Sequence, residues 1–313
     1  AGLLVAACLV ADLAVSNGPG SATALAPEVY DVLQPTTRNE TIAILKAKVA
    51  EGRSDTRRDR IELVGMGFHW PNASLTHRLE NTLGYNPVRL GDYCRATGAE
   101  DHSVSTADRK LTPLFPSYRS PLASLLGLRW IAAGRPIEEA DKLLKPGDLD
   151  LVARTADGYI YENKDTLPRV LFATRSVRGD FEEMLKSGHW PTSDLATTVV
   201  LEGPSAEIDS AGPPRRPGSV RIVRYRHTEI VLEAVSFDGG YVVLNDMWHP
   251  WWFAEIDGKA AELLKANVLF RAVRIAPGRH RIRFVFRPLA GALAEAKARW
   301  LGTKPATGGG RTP

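Results

Sequence analysis

Near its C-terminal end the chain alternates: Ile282, Phe284 and Phe286 interleave with Arg281, Arg283 and Arg287. A period of two sends successive side chains to opposite faces of a β-strand, so this segment has one apolar and one charged face. Its apolar face needs a core, and the preceding residues supply neighbouring strands. Tyr241-Val242-Val243-Leu244 is an apolar run of strand length that follows an Asp238-Gly239-Gly240 turn. Asp257-Gly258 and Pro277-Gly278 mark two further turns, and a strand-like run follows Asn267. Between Leu244 and Asp257, Trp248, Trp251 and Trp252, three of the chain's seven Trp residues, cluster with Phe253. This order of strands and turns predicts a β-rich module over 219–288, an antiparallel β-sandwich.

The remainder reads as α+β. At 313 residues and 44% apolar composition the chain can bury a substantial core, and two folded units are expected. Residues 17–60 read as a connector whose helix begins after Asn39, a good N-cap, with Ile42, Leu45 and Val49 at helical spacing. Residues 61–201 read as a mixed α/β unit, with strands at 61–64, 128–132, 149–154, 158–162, 170–173 and 197–201 and helices at 122–127 and 180–187. Residues 202–218, rich in Pro and Gly, read as a linker. Residues 289–313 read as a short Ala-rich helix and a disordered tail.

Leu3 to Val15 is apolar except for Asp12. It is shorter than the roughly 20 residues that cross a bilayer as a helix. It fits a signal peptide, a buried helix or the end of a transmembrane helix over 1–16. The net charge of +4 is mild. It suits weak attraction to anionic headgroups and makes no demand for nucleic acid, for which no zinc finger, RNP motif or long basic helix is present. Cys8 and Cys94 form no CxxC and no evident pair.

Chemistry-bearing residues are sparse. Trp248, His249 and Trp251 are candidates for glycan binding, since rings take the apolar faces of ligands; the alternative is that they fill the β module's core. His249 has no ligand partner at metal spacing, so no metal and no cofactor is expected. Asp257 and Glu255 lie too close on one segment to divide acid and base roles, and Asp-Gly is above all a turn dipeptide. His69, His77 and His102 with Cys94 invite a Cys–His nucleophile, but GDYCRATG matches no such motif. The arginines at 279, 281, 283 and 287 suit lipid phosphate or an anionic glycan, or a solvated strand face.

The stretch 241–288 resembles the C-terminal, extracytoplasmic end of the YfhO-type bacterial membrane proteins, relatives of membrane glycosyltransferases that use polyprenyl-phosphate sugars. The resemblance is carried by Pro250-Trp251-Trp252, by Glu255-Ile256-Asp257-Gly258, by Asn267 with Phe270-Arg271, and by Pro277-Gly278 with His280. Upstream it extends to Gly84-Tyr85-Asn86-Pro87, Leu126-Gly127-Leu128-Arg129-Trp130, Tyr161-Glu162-Asn163 and Leu167-Pro168-Arg169. It implies a location in the bacterial inner (cytoplasmic) membrane, with most of the chain on the extracytoplasmic face. It selects the transmembrane-end reading of residues 1–16. It further implies a domain that contacts lipid bilayer, positions a lipid-linked sugar or envelope glycan, or caps a membrane active site, and is not itself catalytic. Its rival is a carbohydrate-binding or structural extracytoplasmic module.

Overall fold

A computed structural model describes residues 2–16, 27–84, 90–99, 105–203 and 216–301. Residues 17–26 of the expected connector, Tyr85-Asn86-Pro87, His102, most of the 202–218 linker and the tail after 301 lie outside the described residues. The architecture is α+β, with helices and mostly antiparallel sheets.

Helix α1 (Gly2–Ser16) has no buried residue. Helix α2 (Glu40–Glu51) begins where the Asn39 side chain accepts the Ile42 N–H at 3.0 Å, as the sequence predicts. The first sheet combines β1 (Arg60–Val64), β2 (Leu128–Ala133), β3 (Asp150–Thr155) and β4 (Gly158–Glu162) in the order β1-β2-β4-β3. Only its β1–β2 pair is parallel. Helix α3 (Trp70–Thr76) joins α2 on one face, over Ile61, Leu63, Trp130 and Ile160. The other face, with Val64, Ile131 and Tyr161, meets α4 (Gly91–Thr97), α5 (Pro121–Leu126) and α6 (Phe181–Ser187).

The second sheet adds β5 (Val170–Ala173), β6 (Arg175–Gly179) and β7 (Thr198–Glu202). The chain then continues through β8 (Ser219–Tyr225), β9 (Glu229–Ser236), β10 (Gly240–Leu244), β11 (Trp252–Ile256), β12 (Lys259–Ala261), β13 (Leu264–Ala266), β14 (Phe270–Ile275) and β15 (Gly278–Phe286). It closes on helix α7 (Pro288–Trp300). The second sheet runs β5-β10-β14-β13-β7-β6, and the third runs β12-β11-β15-β9-β8.

Every residue of β10 is buried. Val242 and Leu244 face the third sheet's Leu232, Ile282 and Phe284, while Tyr241 and Val243 join Leu171, Val199 and Ala272 on the opposite face. A strand covered on both sides has no wet face, which is why the sequence shows an unbroken apolar run there. The second sheet crosses the boundary that composition marks at 202–218. Val242 pairs with Phe172 of β5, Ala266 with Leu201 of β7, and one core includes both Val200 and Phe270. The residues expected as a separate mixed unit and the β module share one interior.

No described helix is long and apolar enough to cross a membrane.

Candidate functional site

The Trp-rich turn feeds β11, and its rings face inward. Trp252 is buried, with Phe286 at 5.3 Å between ring centroids and the Arg271 guanidinium over its ring at 3.7 Å. Trp251 meets His249 at 4.8 Å and Phe286 at 6.1 Å. Helix α7 covers it through Gly291, where an added Cβ would lie 2.3 Å from the indole. His249 Nδ1 accepts the Trp251 N–H at 3.2 Å, and burial lowers the ring's pKa, so the neutral imidazole holds this turn. The indole N–H groups of Trp248 and Trp251 are buried without a hydrogen-bond partner among the described residues. His249 and Trp251 therefore pack together, while Trp248 lies against the core shared by the second and third sheets, with Lys265 Nζ 5.6 Å from its ring centre.

Arg271 links that cluster to a charged core. Asp246 accepts hydrogen bonds from Arg60 at 2.9 Å, Arg169 at 2.7 Å and the Tyr225 hydroxyl at 2.7 Å, with Arg271 at 3.5 Å. Glu80 pairs with Arg58 at 2.8 Å and Arg169 at 2.7 Å. Burial alone would raise the Asp246 carboxyl, but Arg169, Arg271 and Arg60 outweigh it and hold the group well below the ordinary carboxylate range. Burial likewise pushes the Arg271 guanidinium down to about 10 despite Asp246, which leaves it charged at neutral pH. A second buried carboxylate, Glu62, takes the Arg109 Nε–H at 2.8 Å, the Tyr118 hydroxyl at 2.6 Å and the Thr82 hydroxyl at 2.6 Å. Carboxylates bonded on this many sides are held in place by their partners. They fix the fold.

The other residues of the family pattern do structural work. Asn267 exchanges both bonds of a strand pair with Val200, its N–H donating to Val200 O at 2.7 Å and its side-chain oxygen accepting the Val200 N–H at 2.8 Å. Asp257 and Gly258 take φ of +52° and +78°, closing the β11–β12 hairpin as the Asp-Gly dipeptide predicts. The Asp257 carboxylate accepts the Arg281 N–H and faces His280 Nδ1, both at 2.8 Å; these two contacts, in that order, lower its pKa. His280 Nε2 lies 3.0 Å from Ala276 O, which ties the hairpin to the Pro277-Gly278 turn. Glu255 points elsewhere, to Arg283 at 3.0 Å and Arg287 at 2.9 Å. Arg281 and Arg283 also pair with Glu233 and Glu229 on β9, so the arginine face of β15 is laced with carboxylates.

Of the candidate nucleophile group, Cys94 is half-buried, His69 packs on Tyr30 and Phe68, and His77 bonds Val32 O at 2.8 Å. Among the described residues no cluster of His, Cys, Asp or Glu has the form of a metal site.

The sequence reading passed over one open site. A cleft of about 540 Å³ lies against β3 and β4. Its floor is Tyr159 and Tyr161, near-parallel rings 6.3 Å apart, which strand alternation puts on one face of β4. Leu151 and Arg154 stand opposite them in register, and Arg154 lies 5.1 Å from the Tyr159 ring centre. Pro136, Glu138, Pro146 and Asp150 close the other side. The signal was present in Gly158-Tyr159-Ile160-Tyr161-Glu162, whose aromatics recur at a spacing of two. A smaller cleft of about 310 Å³ is lined by Arg60, Thr82, Tyr93, Cys94 and Met247.

No known protein family, curated protein or solved structure matches this chain.

Proposed function

We propose that this chain is the non-catalytic, extracytoplasmic domain of a multi-spanning bacterial envelope protein of the YfhO-like, lipid-linked-sugar glycosyltransferase type. In this reading it sits on the outer face of the inner membrane and positions an acceptor glycan or caps a membrane active site. Helix α1 carries the proposal: Leu3, Leu4, Val5, Leu9, Val10, Leu13 and Val15 are all exposed, and nothing on the helix is buried. Each such side chain gains about 1.5–3 kcal/mol on leaving water, so a helix of this composition favours a bilayer over solvent. At 15 residues it reaches about 22 Å, less than a full hydrocarbon core, and we take it as the outer end of a span. The locked carboxylates Asp246 and Glu62 support a non-catalytic role. The shared core of the second and third sheets supports the β-sandwich assignment.

Flotation with vesicles of phosphatidylethanolamine and phosphatidylglycerol tests the membrane part. The chain should rise with the vesicles, and a Leu9→Asp/Leu13→Asp variant should stay at the bottom with unchanged circular dichroism. A wild-type chain that stays at the bottom would reject the bilayer and favour the carbohydrate-binding or structural module instead.

A further inference from the structure

We propose that the cleft on β4 is a saccharide-binding site. Its volume of about 540 Å³ falls in the range of small-ligand sites. A sugar offers apolar C–H faces and a rim of hydroxyls, and the cleft offers the complement of both. Tyr159 supplies most of the ring surface, with the largely buried Tyr161 behind it; Glu138 and Asp150, the latter also paired with Lys164, accept hydrogen bonds, and Arg154 donates them.

The walls are fixed before any ligand arrives. The Tyr161 hydroxyl accepts the Ile137 N–H at 3.4 Å, which joins floor to wall. Asp148 accepts the Lys145 N–H at 2.8 Å and Arg119 at 3.1 Å. Asp141, fully buried, holds the Ser117 hydroxyl, the Tyr118 N–H and the Leu143 N–H. The segment 136–149 is thus pinned at several points, and a bound ligand would not have to order it.

Other ligand classes fit less well. Glu138 and Asp150 are balanced by Arg154 and by Lys164, which ion-pairs with Asp150, so the cleft has no surplus of positive charge to hold a phosphate backbone. Tyrosines and prolines also line grooves that take extended proline-rich peptides. Those peptides present mainly carbonyl acceptors, which call for donors on the groove; Glu138 and Asp150 instead accept, which suits hydroxyls. The site gives the glycan-positioning role its location and rests on the proposed function only in taking the natural ligand to be an envelope glycan.

Calorimetric titration of the full chain with maltotriose, cellotriose and tri-N-acetylchitotriose, and with a proline-rich decapeptide, tests the proposal. At least one saccharide should bind. Tyr159→Ala should weaken it about tenfold or more, Glu138→Gln should weaken it measurably, and Tyr159→Phe and Trp251→Phe should stay within about twofold. No saccharide binding, binding indifferent to Tyr159→Ala and Glu138→Gln, or binding of the peptide alone would overturn it. Because vesicles are absent, this titration can fail while flotation succeeds, and the reverse, so the two proposals fall separately.

Discussion

The Trp-rich turn before β11 and the tyrosine pair on β4 both set aromatic rings beside charged side chains, with opposite outcomes. Around the turn, Arg271 lies on Trp252, Phe286 meets His249, Trp251 and Trp252, and α7 sets Gly291 on Trp251, so Trp252 is buried and Trp248 and Trp251 are half-buried. On β4, Tyr159 and Tyr161 face a cleft. Aromatic density therefore does not locate a binding surface in this fold; what decides is whether a later element covers the rings. The turn's cover comes from β14, β15 and α7, whereas β4 lies next to the edge strand of its sheet.

The comparison is broken most directly at the covered end. Trp252→Ala should cost about 3–5 kcal/mol, the range for losing a buried large ring, read as a lower urea midpoint. Asp246→Asn should cost a similar amount, about 3–5 kcal/mol, because Arg60, Arg169 and Arg271 lose their shared counter-ion while still buried. Asp246 also sets a pH dependence. Its folded pKa is depressed, so its contribution is complete above the ordinary Asp value near 4 and is lost as pH falls through the folded value. Acid titration of unfolding should show that loss in the wild type and a flatter acid limb in Asp246→Asn.

A smaller change tests the cover itself. Gly291→Val forces side-chain atoms into the Trp251 indole and should cost about 1–3 kcal/mol. If α7 is what closes the cluster, Trp emission should shift to the red in this variant while α2 and the first sheet keep their circular dichroism. Emission that stays unchanged would mean the turn is closed without α7.

How much was legible follows the same line. Local periodicity found β15, β10, the β3–β4 hairpin, α6 and the Asn39 cap, because alternation, turn dipeptides and caps are properties of neighbouring residues. It did not find that Val242 pairs with Phe172 or that Asn267 pairs with Val200, contacts made across long stretches of chain. The strands expected at 170–173 and 197–201 form, the second at 198–202, but were assigned to another unit for that reason. Trp248, His249 and Trp251 allowed both a glycan-binding and a core reading, because clustering is visible in sequence and covering is not. Tyr159 and Tyr161 were read only as a strand, since the opposite wall comes from 136–151 and no short-range pattern places it there.

The smallest expected effect separates the two regions most cleanly. Tyr159 is half-buried, so Tyr159→Ala should change stability by about 1 kcal/mol or less, against the several expected for Trp252→Ala. Tyr161 is a poor substitute for this purpose: it is buried and bonded to Ile137, so its loss would damage fold and cleft together. Tyr159→Ala removes ring surface from the cleft and one partly buried ring from the margin of the core. A urea midpoint near wild type would show that this ring is held by the fold without holding it. A loss of several kcal/mol would place Tyr159 with the Trp cluster, as one more ring that the core requires.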